Sequence, residues 1–293
     1  MTEASSLIYD LGVHRGEDTE FYLKKGFRVV AVEADPAFCR AAAAKFAGPV
    51  AEGRLVIVNK AIAPRRGRIT FFVNRAVPVW STADPDWAAR NQCLGAPSTA
   101  ITVDAVPLSD LIAEFGEAHY LKIDIEGMDR AALQSIGATA ARPDYISIES
   151  EKVSFAKLRE EFEIFLELGY DRFKIVPQHL VPRQHPPDPP LEGQPAEHAF
   201  IKGASGLFGE EAPGRWMTAE EAIETYKRIF LLYHLAGDEP LIRSWILLKL
   251  LRKLGLGRRW YDTHAKRADR DRASTDPVAI SGVAEGHKLL TKN

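Results

Sequence analysis

Apolar runs alternate with amphipathic stretches from Leu7 to about Val176. Leu7 to Leu11 is an apolar run broken by one acid, Asp10, and Glu17 to Lys25 then reads as a helix. A second apolar run, Phe27 to Glu33, again ends in an acid. Asp35-Pro36 has the form of an N-cap followed by proline at the first helical position, opening an alanine-rich helix to Phe46. Leu55 to Ile62 predicts the third strand. Ile69 to Val73 predicts a further strand, and Ile101 to Val106 a short one before a helix over Ser109 to Phe115. Tyr120 to Ile125 reads as the fourth strand of the main sheet, buried on both faces apart from Lys122 and Asp124, with a helix from Met128 to Ile136 opened by Gly127. Tyr145 to Glu149 predicts the fifth strand, ending near the acids Glu149 and Glu151. Phe155, Leu158, Phe162, Phe165 and Leu166 carry a helical period up to Gly169, and Asp171 to Val176 begins the next strand. Five βα units with short connections predict an α/β fold built on a doubly wound, mostly parallel sheet.

The chemistry of the first turn narrows the ligand. Its spacing is Asp10-x-Gly12-x-x-x-Gly16, with His14 where a dinucleotide fingerprint would place its middle glycine. An acid two residues before the first glycine suits a pyrophosphate poorly. It suits a ligand with a cationic end, such as the ammonium and sulfonium of S-adenosylmethionine, and so favours a class I methyltransferase over a dehydrogenase. Glu33, closing the second strand, is placed to accept hydrogen bonds from ribose hydroxyls.

A second motif, Tyr120-Leu-Lys-Ile-Asp-Ile-Glu-Gly127, lies about 110 residues further on. Together the two resemble the FkbM family of S-adenosylmethionine-dependent methyltransferases over about Leu7 to Phe173. The matching residues are Asp10, Gly12, Gly16, Glu33, Lys122, Ile123, Asp124, Glu126 and Gly127; Val13 and His14 stand where the family has Ala-Asn, and Ala34 stands where its proline follows the acid. The resemblance implies that the first and fourth strands are neighbours where the winding reverses, bringing Gly12 and Asp124 to one crevice. It implies Asp10 toward the methionine ammonium, Gly12 and Gly16 closing on the cofactor, Glu33 on the ribose, and Asn59 to Ala61 near the adenine. Asn59 is equally suited to satisfying a strand end. Asp124 and Glu126 would flank the methyl position as candidate catalytic acids, with His14 a weaker candidate. Asp124, Glu126 and Glu149 are of a kind that holds divalent ions, but the spacing requires none, and no metal is expected. The implied acceptor is a hydroxyl of a saccharide or polyketide-type metabolite. An N-methyltransferase, an NAD-dependent oxidoreductase and a non-catalytic binding module are the rival readings.

The rest of the chain is less periodic. Arg75 to Thr99 is an insertion whose Trp80 and Trp87 read as core residues beneath a loop, or else as a stacking platform for a flat acceptor. Proline dominates Pro177 to Pro195, which predicts a loop or linker rather than a packed element. His198 to Ile201 is expected to close the sheet as its last strand. Thr218 and Glu221 form a capping box, and Glu239 to Leu254 reads as a helix with a leucine face and a basic face. A division follows: residues 1–204 as the cofactor-binding domain, and 205–293 as an α-helical, basic extension whose tail from Ala265 is partly disordered.

At 293 residues with 46% hydrophobic and 27% charged residues the composition is that of a globular protein, and a net charge of −2 gives no reason to expect nucleic acid as a partner. From Pro240 onward twelve Lys/Arg face five Asp/Glu. That excess permits contact with an anionic membrane surface, although packing of the leucine face on the domain is preferred. Cys39 and Cys93 lack ligand spacing and a disulfide framework, the N-terminus lacks the features of a signal peptide, and no apolar run would span a bilayer. A cytoplasmic protein acting on a small-molecule or glycan acceptor is expected.

Overall fold

Every apolar run up to Val176 forms a strand, because each is bounded by a glycine, proline or capping residue that lets the backbone turn. The computed structural model describes residues 6–151, 154–236 and 260–268, with 244 and 249. In chain order its elements are β1 (Leu7–Leu11), α1 (Glu17–Lys24), β2 (Arg28–Val32), α2 (Pro36–Lys45), α3 (Ala47–Ala51), β3 (Leu55–Val58), β4 (Ala61–Ile62) and β5 (Gly67–Val73). Then come α4 (Pro85–Cys93), β6 (Thr99–Val106), α5 (Leu108–Phe115), β7 (Tyr120–Ile123), α6 (Asp129–Ile136), β8 (Tyr145–Glu149), α7 (Phe155–Glu167), β9 (Tyr170–Pro177), α8 (Ala219–Ala236) and β10 (Tyr261–Arg267).

Seven strands make one sheet in the order β3-β2-β1-β7-β8-β10-β9. The pairs from β3 to β8 are parallel, and β10 is antiparallel to both neighbours. The winding reverses between β1 and β7, where Asp10 pairs with Lys122 and Leu11 with Ile123. This is the doubly wound arrangement the sequence predicts, with its ligand crevice at the carboxyl ends of β1 and β7.

Strand side chains alternate between two cores. Tyr9, Leu11, Leu121 and Ile123 pack with Leu111, Leu133, Phe162 and Tyr226 of α5, α6, α7 and α8. Ile8, Val29 and Tyr120 point the other way, onto Phe21, Tyr22 and Ala42 of α1 and α2. Asp35 caps α2 by accepting from Ala37 N. The capping box of α8 has both bonds, Glu221 N to Thr218 Oγ1 at 3.3 Å and Thr218 N to Glu221 Oε2 at 3.0 Å. No helix of the described residues is long and apolar enough to cross a membrane.

Several expectations are corrected. The strand that completes the sheet is β10, not His198 to Ile201: Phe200 buries its ring against Phe21 at 4.8 Å instead of joining the sheet. β10 reads as polar because Asp262, Thr263, His264 and Lys266 are all buried in it, which defeats a hydropathy reading. It belongs to residues 205–293 and yet lies within the main sheet, and its last residues, Ala265 to Arg267, begin the tail expected to be disordered. The proline-rich segment is irregular, as expected, but it is packed. Val181 and Glu192 are buried, and Glu211 accepts hydrogen bonds from Leu191 N and Glu192 N. Side-chain acceptors satisfy backbone that no ladder serves. The third strand also divides: β3 stays in the main sheet, and β4 joins β5 and β6 in a second sheet of order β4-β6-β5. Within the insertion, α4 forms behind an Asp84 cap that accepts from Asp86 N and Trp87 N. The helix read over Glu239 to Leu254 falls almost wholly outside the described residues.

Candidate functional site

The crevice begins with a turn that only small or left-handed residues can make. Gly12, His14 and Gly16 have φ of 85°, 50° and 75°. A Cβ on Gly12 would lie 1.9 Å from the backbone oxygen of Asp124, and one on Gly16 would lie 2.5 Å from the Phe46 ring. Gly12 is therefore where the β1 and β7 loops touch. Asp124 N also donates to Leu11 O at 3.2 Å, so the two motifs meet through their main chains.

Beneath the turn lies a buried charge cluster centred on Lys122, which is 3% exposed. Its Nζ donates to Gly12 O at 2.8 Å and lies 3.2 Å from Asp10, 3.6 Å from Asp124 and 3.7 Å from Asp18. Burial opposes the ammonium, but Asp10, Asp124 and Asp18 together hold its pKa well above the usual lysine range. Asp10 is wholly buried, and its other oxygen accepts from Thr19 Oγ1 at 2.5 Å. Asp18 accepts from Ser205 N at 2.8 Å, and its pKa rises to about 6 through burial, which Lys122 opposes and Asp10 reinforces. The motif acid Asp10 thus anchors the turn from below, in contact with protein on every side.

Glu33 holds the turn from the β2 side. Its carboxylate accepts from His14 N at 3.0 Å and Asp35 N at 2.8 Å, and burial raises its pKa. The His14 ring lies 3.1 Å from Glu17 Oε1 of α1 and 4.8 Å from the Phe38 ring of α2. Asn59 donates to Glu33 O at 2.9 Å and Ala34 O at 3.2 Å, satisfying the end of β2. Ala61 is buried in the small cluster formed with Phe71 and Val103.

After β7 the backbone turns through Glu126 and Gly127, at φ of 44° and 95°. Asp129 fixes this loop by accepting from Ile125 N at 3.0 Å and Gly127 N at 3.1 Å, and burial, with Asp124 and Glu149 nearby, pushes its pKa up to about 7. The insertion docks here: Thr82 Oγ1 donates to Glu126 O at 2.5 Å, and a Cβ on Gly127 would lie 3.5 Å from Trp87. Trp87 therefore lies against the site loop. One carboxylate oxygen each from Asp124, Glu126 and Glu149 falls within 4.8 Å of the others. Asp262 of β10 pairs with Glu149, and its pKa is well above the usual range through burial, with Asp124 and Glu149 adding to the effect.

Of the residues singled out from sequence, Asp10, Gly12, Gly16, Glu33, Asp124 and Glu126 converge at this crevice, and Asn59 borders it. Asp18, Thr19, Asp129 and Asp262 were not readable as site residues. Asp129 carries a faint signal, an acid two residues after Gly127 at the start of a helix; Asp262 carries none.

Residues 10–172 match the family described as Methyltransferase FkbM domain. No curated protein matches the sequence. Similar solved structures include a precorrin-6y C5,15-methyltransferase from Geobacter metallireducens, 8% identical over 90% of this chain and 81% of that one, with a TM-score of 0.36. A SAM-dependent methyltransferase from Archaeoglobus fulgidus is 11% identical over 90% and 87%, also at 0.36. A 1,6-didemethyltoxoflavin-N1-methyltransferase from Burkholderia thailandensis is 17% identical over 59% and 64%, at 0.31. At such scores these likenesses add no weight to the strand order and the crevice. The family match spans more than half of the sequence, from Asp10 through both motifs, and the chain belongs to the FkbM family of S-adenosylmethionine-dependent methyltransferases.

Proposed function

We propose that this methyltransferase acts on a hydroxyl of a saccharide or polyketide-type metabolite, with the acceptor entering between the β7 loop and the insertion. The observation that carries this reading is the position of Asp124, whose side chain is 40% exposed at the point where the β1 and β7 loops touch. A carboxylate there can take the proton that a hydroxyl must lose as it attacks. The left-handed turn from Gly12 to Gly16 and the acid Glu33 fit S-adenosylmethionine, since bare backbone and a ribose acceptor lie on one wall. When bound, that cofactor supplies an electrophilic methyl group on a sulfonium.

The remaining work belongs to the chain. Glu33, pinned by two backbone donors, accepts from the ribose hydroxyls with its free lone pairs. Lys122 neutralises Asp10 and Asp18 and keeps the turn seated, so alignment of donor and acceptor costs little reorganisation. Asp10 acts on the methionine end through the turn it supports. Trp87 and Glu126 border the acceptor side. The free thiols, Cys39 buried and Cys93 exposed, accord with a reducing, cytoplasmic setting.

Mass spectrometry across a panel of glycans, polyketides and amines should find a gain of one methylene unit on a hydroxyl compound. Asp124→Asn should lower kcat about 10²–10⁴-fold on that acceptor, the usual worth of a general base. Methylation confined to amines would overturn the acceptor class, and full turnover in Asp124→Asn would remove the base.

A further inference from the structure

We propose that Thr82 is a positioning residue for methyl transfer: its hydroxyl fixes the insertion against the β7 loop, and so sets the width and facing of the acceptor entrance. What enters there rests on the methyl-transfer reading; the seam itself stands on geometry.

The loop needs a hold from outside because of its backbone. Among the described residues, His14 and Glu126 are the non-glycine residues with left-handed φ, and both lie in the motif loops. That conformation is strained for a residue with a Cβ, and it persists where neighbours over-determine it. Each of the two is pinned by a side chain of another element: His14 N by Glu33, and Glu126 O by Thr82 Oγ1 at 2.5 Å. Asp129 accepts from Gly127 N at 3.1 Å. The peptide group that joins Glu126 to Gly127 is therefore gripped at both ends, its N–H by Asp129 and its C=O by Thr82. A planar peptide held in this way cannot swing without breaking one of the bonds, and the direction in which Glu126 leaves the main chain is set with it.

Thr82 is itself immobile. It is wholly buried, and its backbone N and O pair with Phe72 of β5 at 3.1 and 2.8 Å. Its hydroxyl has one proton to give. Asp84 N donates to Oγ1 at 2.9 Å, so the proton goes to Glu126 O. Asp84 in turn caps α4, accepting from Asp86 N and Trp87 N. Across the seam, a Cβ on Gly127 would lie 3.3 Å from Asp84 Cβ and 3.5 Å from the Trp87 ring, so the two walls touch. One hydroxyl thus registers β5, the start of α4 with Trp87, and the peptide that aims Glu126. The cofactor turn is held by a separate set, Lys122 with Asp10 and Asp18, and Glu33, none of which bonds to Thr82. Loss of the hydroxyl is expected to reach the acceptor and to spare the cofactor.

The test compares Thr82→Val, which keeps the shape but not the proton, with Thr82→Ser, which keeps the hydroxyl, and with Tyr170→Phe. Tyr170 OH donates to Pro143 O at 2.7 Å at the start of β9, at the end of the sheet away from the crevice, so that variant loses a buried bond of the same kind elsewhere. Each full-length protein is assayed with tritiated S-adenosylmethionine on the panel compound that the wild type methylates best. Thr82→Val should raise the acceptor KM and lower kcat/KM about 10–100-fold, the effect of a misplacement of about 1 Å. Its S-adenosylhomocysteine affinity by calorimetry should stay at the wild-type value. Thr82→Ser should recover most of kcat/KM, and Tyr170→Phe should melt earlier with both kinetic constants intact. Wild-type kinetics in Thr82→Val, no recovery in Thr82→Ser, or an equal loss in Tyr170→Phe would overturn the proposal. Hydrogen exchange needs no acceptor: amides of 82–93 and 124–131 should exchange faster in Thr82→Val than in the wild type or Thr82→Ser, with those of 7–25 unchanged. Identical exchange in the wild type and Thr82→Val would overturn the seam by itself. A wild type that methylates an amine removes the hydroxyl reading and leaves this comparison intact, and for one that methylates nothing in the panel the exchange result decides.

Discussion

Replacing Lys122 by methionine tests the buried cluster that seats the cofactor turn. Methionine keeps most of the apolar stem, so packing beneath the turn changes little, but the ammonium is lost. Asp10 and Asp18, each almost wholly buried, would then share a site with no cation, and Gly12 O would lose its 2.8 Å donor. Removing one member of a buried ion pair costs about 3–5 kcal/mol. Part of that cost is avoided when an acid takes up a proton, so the penalty depends on pH. A buried carboxyl with a raised folded pKa is protonated only in the folded state between its unfolded and folded values, and stability falls as pH rises through that window. Lys122→Met should therefore lose about 3–5 kcal/mol at pH 7.5 and about 1–2 kcal/mol less than that at pH 5.5. Urea denaturation at the two pH values, with linear extrapolation, measures both numbers. Adding Asp10→Asn should recover about 1–2 kcal/mol, since the two residues are in contact and their effects should not add. A loss below about 1 kcal/mol, or one independent of pH, would refute the assignment of Lys122 as the counter-charge of the turn.

Gly12→Ala should lower stability by about 2–4 kcal/mol, combining left-handed strain with overpacking against Asp124 O, and should abolish detectable S-adenosylhomocysteine binding. Gly53→Ala, with φ of 70° but open space around it, is the control: thermal melts should show the strain alone and calorimetry normal affinity. Glu33→Ala should weaken S-adenosylhomocysteine binding by about 1–3 kcal/mol, and unchanged affinity by calorimetry would remove Glu33 from the ribose site. Glu161, buried in α7, accepts from Glu151 N in the loop after β8 at 3.2 Å, and has its pKa pushed up to about 8 chiefly by burial. Because the raised value makes the folded state hold a proton that the unfolded state releases, wild-type stability should fall from near pH 4.5 to about 8, by at most ~1.4 kcal/mol per pH unit from this group. Glu161→Gln should remove that slope, and parallel wild-type and variant curves would show that Glu161 does not hold the proton.

What could be read from the sequence was whatever repeats with a local period or lies beside its own punctuation. Asp35-Pro36 announced α2 through its cap and proline; Asp84-Pro85 opens α4 in the same way, but with no apolar period around it that helix was not read. The meeting of Gly12 with Asp124 was readable only through the family resemblance, which implies that the first and fourth strands are neighbours where the winding reverses. Tyr261–Arg267 was not readable. Its central-strand position is fixed by hydrogen bonding to β8 and β9, and its side chains face polar neighbours such as Ser147 and Lys174. The role of the proline-rich segment was hidden for a related reason: it is held by long-range side-chain bonds, His119 to Glu192 at 2.6 Å and Lys25 to Glu211 at 2.8 Å, which leave no local pattern. In the site, motif residues were legible by type, but not that Asp10 would be sealed beneath the turn while Asp124 stayed open.

The place of β10 has a consequence for how the chain is made. Its two partners, β8 and β9, are synthesised well before Tyr261 and have no ladder between them until the final strand arrives. During translation two parallel edges must wait with their amide groups unpaired, the state in which sheets recruit foreign strands. A message truncated before that codon would yield both cofactor motifs and an open seam, so aggregation rather than slow catalysis is the expected fate of such a product.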